Sequence, residues 1–435
     1  ILFILSVLVI LHEFGHYNTA RMFKVRVEKI YLFMDAGFSL LKKKIGETEW
    51  GIGWLPIGGY VKLAGMVDES MDMEQMKQEA QPWEFRSKPA WQRLIIMLGG
   101  IIVNILLAWF IYTMVYVTYG QKYIATEAIQ KNGLAFGETG LNVGFKNGDK
   151  ILAVDGKYQD RFNRMTLDIL LGDKIDIERN GEKKTIILTD PQKAEIIGKE
   201  GRDFIQPRLS SVVVDSVTPK SEAFKAGFKK GDHLVAIDNK EFKFFDELRD
   251  NLNTHKNDSV SITVIRNNER VNLKTLVDKD GKIGFLPTFK DKMDFEVVNK
   301  LSLFQAIPEA VKESYALLVY NVKQFKLILR PKTEAYKHVK SPVGIARALP
   351  NQWNWEFIWN FTALFSIGLA FMNLLPIPGL DGGHALFTIA EMITGKKLSE
   401  KAMGHVQTFG MIILLTLMAL TFGKDIYQLI ADKFF

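Results

Sequence analysis

Four apolar stretches constrain the fold of this chain more than any other feature of its sequence. They cover residues 1–23, 94–121, 357–380 and 402–423. An α-helix needs roughly 20 apolar residues to cross a bilayer, and each stretch is long enough to do so. Lipid offers the backbone no hydrogen-bond partners, so a spanning segment outside a closed barrel must be helical. The sequence therefore predicts a membrane α-helical core of four transmembrane helices, and the lipid bilayer is the first expected partner.

The first apolar stretch contains the motif His-Glu-Phe-Gly-His at residues 12–16. On a helix, His12 and His16 lie on one face, where two imidazoles can bind the same Zn²⁺. Glu13 would stand beside the metal as a general base for a bound water. Short patterns of this kind also arise by chance. Ionisable side chains are costly in lipid and are usually functional there, so the position of the motif favours metal-assisted hydrolysis.

Composition limits the metal ligands and the partners that the chain can have. The 435 residues include no cysteine, so disulfides, thiolate metal sites and cysteine nucleophiles are excluded, and any metal must be held by His, Asp or Glu. The net charge of +7 is spread along the chain and interleaved with 49 acidic residues. Nucleic-acid-binding proteins instead cluster their basic residues. We therefore expect no nucleic-acid partner, and we attribute the positive charge to attraction toward the membrane surface.

The N-terminal membrane part is predicted to cover residues 1–121. Basic residues follow its first span between Arg21 and Lys29, so the positive-inside rule puts that end, and with it the active site, in the cytoplasmic leaflet. Because the chain begins with Ile1 rather than Met, we expect a few residues to precede it. The charged residues 66–93 are expected in the cytoplasm.

Within the second span, Gly99, Gly100 and Asn104 interrupt the run of large apolar side chains. Small residues and a single Asn in such a helix are more often packing devices than metal ligands. We therefore expect these three residues to serve helix packing.

Residues 30–65 form a membrane-associated β-hairpin region in this interpretation, because they alternate in polarity and are interrupted by glycine. Gly51, Gly53, Gly58 and Gly59 would let another backbone or a ligand approach closely. Composition alone is equally typical of a Gly-rich surface loop. The apolar character of the segment favours a re-entrant β element, since irregular backbone is tolerated at membrane depth where protein or a wet cavity surrounds it.

The segment between the second and third spans contains an internal repeat. Residues 144–157 (GFKNGDKILAVDGK) and 227–240 (GFKKGDHLVAIDNK) are identical at eight of fourteen positions. The repeats resemble PDZ domains, although Asn239 replaces a glycine of the first repeat. The resemblance implies two extracytoplasmic β-rich PDZ domains, at 122–205 and 206–295, whose sheet edges can bind peptide.

Residues 296–350 are predicted to form an amphipathic helical linker, because apolar side chains recur every three or four positions between Phe304 and Leu329. Two placements fit this pattern. The helix can lie on the membrane surface, with its lysines toward water, or it can pack against the β-rich domains.

The C-terminal membrane part is predicted to cover residues 351–435. Its first span, 357–380, ends in the run NLLPIPGLDGG, and 402–423 forms the fourth span of the chain. Pro376 and Pro378 break the helix and free backbone carbonyls, which a polar pocket must satisfy.

Topology brings the two ends of the chain together. Catalytic zinc usually takes three protein ligands and leaves one position for water. Asp381, taken alone, is typical of an ordinary acidic residue at a helix end. The first and third spans both end on the cytoplasmic side, so His12, His16 and Asp381 can meet at one depth.

The motifs HEFGH and NLLPIPGLDG, with PIGGYVK between them, resemble the site-2 protease family of intramembrane zinc metalloproteases. The resemblance covers nearly the whole chain, although GGIIVN stands where relatives often have a Gly-Pro pair. It implies Zn²⁺ as the cofactor, His12, His16 and Asp381 as its ligands, and Glu13 as the catalytic base. The residues expected to bind substrate are Asn373, Gly51, Gly53, Pro376 and Pro378.

The family also implies regulated intramembrane proteolysis of single-span membrane proteins, such as anti-sigma factors whose outer domain has already been trimmed. We expect a monomer in the bacterial inner membrane, with the PDZ domains on the periplasmic side, where they act either as a steric filter or by capturing the trimmed end. A protein of another class, a membrane-anchored PDZ scaffold or chaperone without catalysis, is the alternative. The intact ionisable residues in the spans argue against it, because they are costly in lipid.

Overall fold

The structure is a computed structural model that describes residues 2–66, 79–199, 201, 204–289, 295–347, 349–350, 352–397 and 399–434. Residues 67–78 of the charged segment 66–93, which is predicted to be cytoplasmic, therefore lie outside the described residues.

Helices form most of both ends of the chain. They are α1 (Leu2–Met22), α2 (Ala90–Tyr119), α3 (Thr126–Ile129), α4 (Glu138–Asn142), α5 (Met165–Leu171), α6 (Asp190–Gly198), α7 (Glu222–Lys225), α8 (Phe245–Thr254), α9 (Leu303–Ile328), α10 (Pro342–Arg347), α11 (Trp355–Leu374), α12 (Asp381–Thr394) and α13 (Glu400–Phe434).

The strands are concentrated after α1 and between α2 and α9. They are β1 (Val27–Ile45), β2 (Thr48–Leu63), β3 (Gln121–Ile124), β4 (Leu134–Phe136), β5 (Lys150–Val154), β6 (Lys174–Arg179), β7 (Glu182–Ile187), β8 (Ile205–Pro207), β9 (Val212–Val217), β10 (His233–Ile237), β11 (Lys240–Glu241), β12 (Ser259–Arg266), β13 (Glu269–Leu276), β14 (Phe285–Phe289) and β15 (Glu296–Asn299).

The chain divides into two compact units. The first, here called the membrane unit, comprises Ile1–Gly120, Lys300–Phe325 and Val339–Phe435. The second, here called the repeat unit, comprises Gln121–Asn299 and Lys326–His338.

Three of the described helical segments are long and apolar enough to cross a membrane: Ala90–Tyr119, Trp355–Leu374 and Ala402–Tyr427. The first helix, α1, is not among them. Its N-terminal half is apolar, but His12, Glu13 and His16 lower the mean hydropathy of the remainder. The count of four transmembrane helices therefore stays a prediction.

The third predicted span ends earlier than expected. Helix α11 ends at Leu374 rather than at residue 380, and Leu375 already has the extended conformation φ −62°, ψ 141°. The cause is Pro376, because a proline disfavours helical geometry in the residue before it. As a consequence, Asp381 does not end the span. It is the first residue of the separate helix α12.

Helices α1 and α2 pack closely because glycines face each other at their crossing. A Cβ added at Gly15 would overlap the backbone carbonyl of Gly99, and a Cβ at Gly99 would lie 2.6 Å from the carbonyl oxygen of Gly15. Small residues allow helix backbones in membranes to approach in this way. The predicted packing role of Gly99 is therefore confirmed.

The segment 30–65 is β structure, as the alternation predicts. Strands β1 and β2 pair antiparallel, and the first half of β1 is paired on both sides, with Tyr31 opposite both Tyr60 and Gly51. Among the described residues, 59–63 and 39–45 are consequently the two edges of this sheet. Its placement within the membrane stays a prediction.

The amphipathic segment near residue 315 is helical, as predicted, and forms α9. Its small side chains Ala306 and Ala310 are buried in a cluster with apolar residues of α2 and α11. Leu317 and Leu318 pack against the same cluster, whereas Phe304 and Tyr315 are 85% and 69% exposed. The helix therefore packs against α2 and α11 with its small residues at the centre of the contact, and most of its large apolar side chains are exposed.

Both sequence repeats contain the same buried ion pair. In the first, Arg179 donates through Nε and Nη2 to the two carboxylate oxygens of Asp149, each at 2.7 Å. In the second, Arg266 makes the same two bonds to Asp232, again at 2.7 Å. Each arginine also donates to a carbonyl of the preceding loop. The repeated bonding pattern shows that the sequence repeat is also a structural repeat.

The hairpins that follow each ion pair also match. Between β6 and β7, Asn180 and Gly181 have φ of 54° and 82°, and between β12 and β13, Asn267 and Asn268 have φ of 51° and 68°. Two consecutive positive φ values are typical of type I′ turns, which suit tight hairpins and favour Asn and Gly. The texture of turns and strands read from the sequence is thus present, while the assignment of these repeats to the PDZ class stays a prediction.

We expect the buried pair of the second repeat to contribute measurably to stability. The substitution Asp232→Asn removes a charge that accepts two bonds from Arg266, which should lower the free energy of opening of the β12–β13 hairpin by about 1.5–3 kcal/mol. Hydrogen exchange of the full chain in detergent measures this value. The matched control is Asp215→Asn, because Asp215 forms an exposed pair with Lys230 that should be worth less than about 1 kcal/mol. Equal effects of the two substitutions would contradict the prediction.

This contribution should also depend on pH. Burial raises the pKa of Asp232, but bonds from Arg266 and from the backbone N–H of Lys229 outweigh it, and the pKa lies below its ordinary value. An unfolded aspartate titrates near pH 3.9, approximately. The stabilisation is therefore complete above that pH and is lost as the pH falls through the lower pKa of the folded state. The Asp232→Asn variant should lack this acid sensitivity.

Candidate metal centre

Three potential ligands meet inside the membrane unit. His12 and His16 lie one turn apart on α1, and each is only 7% exposed. The Nε2 atoms of the two rings are 3.3 Å apart. Oδ2 of Asp381 lies 3.3 Å from Nε2 of His12 and 3.2 Å from Nε2 of His16. The helix spacing of the histidines and the start of α12 thus bring three donor atoms to one point.

The triangle formed by these atoms fits a zinc ion. A tetrahedral zinc with bonds of about 2.0–2.1 Å holds neighbouring ligand atoms about 3.3–3.4 Å apart. The three observed distances are 3.2–3.3 Å. Two imidazole nitrogens and one carboxylate oxygen are also a donor set that zinc accepts, and a fourth position remains for water. The residues present therefore suit a catalytic rather than a closed structural site.

Asp381 reaches the site because the chain turns tightly after α11. A Cβ added at Gly382 would overlap the carbonyl oxygen of Leu375, and one at Gly383 would lie 2.5 Å from the carbonyl oxygen of Ile377. Only glycine therefore allows α12 to start so close to the preceding loop. The N-terminal position on the helix also favours a negative charge at Asp381.

Helix α2 supports the two histidines from behind. Nδ1 of His16 lies 2.9 Å from the carbonyl oxygen of Ile96. Nδ1 of His12 lies 3.0 Å from the side-chain amide of Asn104. A Cβ added at Gly100 would lie 2.5 Å from Cε1 of His12 and 2.6 Å from Nε2 of His16. Helix α2 thus takes part in the site through Gly100 and Asn104, whose residue types are more typical of helix packing.

Glu13 lies on the wall of a cavity of about 620 Å³ that also contains His12, His16 and Asp381. Glu13 itself is 8% exposed. Its carboxylate therefore shares the cavity wall with the three potential ligands, and a carboxylate in such a cavity can exchange a proton with a reacting water.

The edge strand of the β sheet forms another wall of the same cavity. Gly58, Gly59 and Tyr60 line it. A Cβ added at Gly59 would lie 3.3 Å from Cγ of Glu13 and 2.6 Å from Cγ1 of Val9, so glycine is needed for the strand to pass so close to α1. The signal for this contact was present in the sequence as the Gly pair of PIGGYVK.

The predicted substrate-binding residues separate into two groups. Asn373 lines the cavity, and its Nδ2 is 3.1 Å from Nε2 of His12. The other four do not line it: Gly51 lines a second, apolar cavity of about 560 Å³, and a Cβ at Gly53 would overlap the backbone of Met34. Pro376 and Pro378 shape the turn that carries Asp381. Their contact with substrate stays a prediction.

Three potential zinc ligands on α1 and α12, beside apolar helices and a β sheet, are the arrangement expected of a membrane metalloprotease, and sequence comparison agrees with that class. Residues 1–417 match Peptidase family M50, the site-2 protease family. The chain therefore belongs to this family, and it is a zinc-dependent metalloprotease.

Individual relatives match the chain over almost its full length. The regulator of sigma-E protease RseP of Escherichia coli (strain K12) is 29% identical, and the alignment covers 98% of this chain and 97% of that protein. The regulator of sigma-E protease RseP of Salmonella typhimurium is 28% identical, with the same two coverages of 98% and 97%. The similarity therefore includes the repeat unit as well as the membrane unit.

Proposed function

We propose that this chain cleaves single-span membrane proteins within the bilayer, with zinc held by His12, His16 and Asp381 and with Glu13 as the catalytic base. The observation that carries the proposal is the triangle of ligand atoms, 3.2–3.3 Å on each side, on the wall of a cavity that Glu13 shares. Membership of the zinc-dependent family supports it.

The chemistry divides between the metal and the protein. When bound, zinc would act as a Lewis acid, which lowers the pKa of a bound water and polarises the scissile carbonyl. Glu13 takes a proton from the attacking water and returns it to the leaving amine, so that peptide hydrolysis is balanced. His12 and His16 carry no proton on Nε2 in this role. Their Nδ1 atoms face α2, away from the cavity.

The edge strand offers a way to bind substrate regardless of its sequence. A transmembrane helix hides its carbonyls in internal hydrogen bonds, so its scissile bond must be unwound before hydrolysis. Residues 59–63 form a sheet edge beside the cavity and can pair with an extended segment. Asn373, next to the ligand atoms, is suited to bond the backbone of that segment. We therefore place substrate binding at Gly58 and Gly59 as well as at Asn373.

The test compares two single-span substrates in liposomes that contain the purified full chain. One has a poly-Leu span, and the other has a Gly-Pro pair at the same depth as the cleaved bond. Gly and Pro weaken a helix by about 1 and 3 kcal/mol, so the second substrate should be cut about tenfold faster or more. Cleavage products are quantified by mass spectrometry, with Glu13→Gln as the blank. Equal rates would contradict unwinding onto the edge strand.

We further infer that the protein resides in the inner membrane of a bacterium, with four spans, and that the repeat unit comprises two periplasmic PDZ domains. Its relatives are regulators of sigma-E by name, which supports substrates such as anti-sigma factors. Strands β3 and β15 pair, from Glu296 opposite Ile124 to Asn299 opposite Gln121, so the two ends of the segment Gln121–Asn299 of the repeat unit are held together. A unit closed in this way suits a steric filter that rejects substrates with bulky outer domains.

Three substrates with the same span separate filtering from capture. The first keeps a folded outer domain, the second is trimmed to a short C-terminal tail, and the third is the trimmed form with an amidated C-terminus. A filter predicts that the two trimmed forms are cut at equal rates and faster than the first. If a PDZ groove instead captures the free C-terminal carboxylate, amidation should slow cleavage. That result would contradict the steric filter and support capture of the trimmed end.

A further inference from the structure

Asn104 is a fully buried polar side chain beside the metal centre that the mechanism above does not use. It is 0% exposed, on the face of α2 that meets α1. Its side-chain nitrogen Nδ2 lies 3.0 Å from Nδ1 of His12. Its own backbone carbonyl accepts a bond of 2.7 Å from the hydroxyl of Ser366 on α11, so the backbone at this position is held in place.

The chemistry of His12 determines what Asn104 must provide. Nε2 of His12 faces His16 and Asp381, which makes it the nitrogen whose lone pair a zinc ion would take. An imidazole that gives one nitrogen to a metal carries its proton on the other. Nδ1–H of His12 is then a donor, and the group opposite it must accept.

The amide of Asn104 contains the required acceptor. Its Oδ1 is buried and has no hydrogen-bond partner among the described residues. Rotation of the amide about its last side-chain bond exchanges the positions of oxygen and nitrogen without changing the space that the side chain fills. This rotation presents Oδ1 to Nδ1–H of His12 and gives the oxygen a partner.

The neighbouring histidine follows the same rule. The group opposite Nδ1 of His16 is the carbonyl oxygen of Ile96, which can only accept. Ile96, Gly100 and Asn104 are spaced by four residues and so form one stripe along α2. In this stripe the two outer residues hold the two Nδ1 atoms, and Gly100 leaves room for both rings.

We propose that Asn104 is a positioning residue for His12: its side-chain oxygen accepts the Nδ1 proton and thereby holds the ring with Nε2 toward the zinc position. The inference rests on the zinc site of the proposed function. Partners of this kind, which contact a metal-binding histidine rather than the metal, typically change metal affinity by about 10–100-fold when removed.

The experiment uses the purified full chain in detergent and two measurements that do not require cleavage. Chelator competition gives the affinity for Zn²⁺, and the visible absorption spectrum of the Co²⁺-substituted protein reports the geometry of the ligands. Asn104→Leu keeps the size of the side chain and removes the acceptor, so zinc affinity should fall by about 10–100-fold with a changed cobalt spectrum. Asn104→Asp keeps an acceptor at the same place and should stay within a few-fold of wild type.

Two further variants complete the design. Thr113→Val removes a buried polar group of the same helix that bonds only to its own turn, and it should leave both measurements unchanged. If Asn104→Leu does not fold, Asn104→Ser carries the same expectation, since its hydroxyl is too short to reach the ring. Wild-type affinity and spectrum in the folded Leu or Ser variant would overturn the inference, as would an Asp variant as weak as the Leu variant. The His12→Ala variant tests the zinc site separately from the role of Asn104. If this variant retained zinc, the zinc site of the proposed function would be wrong.

Discussion

Replacing Glu13 by Gln is expected to slow proteolysis by at least about 100-fold while the protein keeps one zinc ion per chain. Gln fills the same space but cannot take a proton from water. General base catalysis contributes about 10²–10⁴-fold to a rate, and cleavage should fall by that factor. Glu13 is not a member of the ligand triangle, whose three atoms belong to His12, His16 and Asp381. Loss of the base should therefore leave metal binding intact.

Elemental analysis and a cleavage assay on the same preparation measure both quantities. His16→Ala and Asp381→Ala serve as the contrast, because each removes a ligand and should lose zinc and cleavage together. Full zinc content in either ligand variant would contradict the assignment of ligands. Loss of zinc from Glu13→Gln would mean that Glu13 binds the metal, and the roles would have to be exchanged.

The chemistry of the site was predictable from the sequence because its main parts are local patterns. His12 and His16 are one helical turn apart, so their common face follows from the geometry of any α-helix. The run that contains Asp381 includes two prolines and three glycines, which predict a broken helix and a tight turn. Membership of a zinc-dependent family confirms the predicted cofactor.

Contacts between distant segments were not predictable in the same way. Asn104 and Gly59 approach His12 and Glu13 from segments more than 40 residues away. The glycine pair at 58 and 59 predicts a close approach, but single-sequence periodicity does not indicate which residue is approached. The register of β1 and β2 is another case. Since Tyr31 is paired on both sides, the edge beside the cavity is the strand with Gly59, whereas Gly51 lies inside the sheet. The same residues could form a sheet with a different strand order, so the composition of the segment does not predict which strand lies at the edge.

The end of the third predicted span differs from the structure by six residues, because the apolar composition of the run conceals the effect of its first proline. The apolar run continues to residue 380, and composition alone extends the helix over it. Pro376 stops the helix at Leu374, and the remaining residues form the turn before α12. The separate helix matters for function, because it presents Asp381 at a helix N-terminus, where a negative charge is stabilised.

Gly100→Ala is expected to damage the site almost as severely as the loss of a ligand. The added methyl group would lie 2.5 Å from Cε1 of His12 and 2.6 Å from Nε2 of His16, closer than carbon contacts permit. The backbone of α2 cannot retreat alone, since it is packed against α1 and α11. The two rings must therefore move. A displacement of about 1 Å in a catalytic group can cost 100-fold in rate, and we expect cleavage to fall by about that factor, with weaker zinc binding.

The matched control is Gly368→Ala on α11, where an added Cβ has no heavy atom within 4 Å. Both substitutions replace Gly by Ala in the middle of an apolar helix, and Ala is the better helix former by about 1 kcal/mol. Any change in helix stability that comes from the better helix former should therefore be favourable and similar in the two variants. Zinc content, chelator competition and cleavage rate should remain at wild-type values in Gly368→Ala and fall only in Gly100→Ala. If Gly100→Ala retained full activity, the space between α2 and the two histidines would have to be larger than the structure gives, and the close support of both rings by the second span would be wrong.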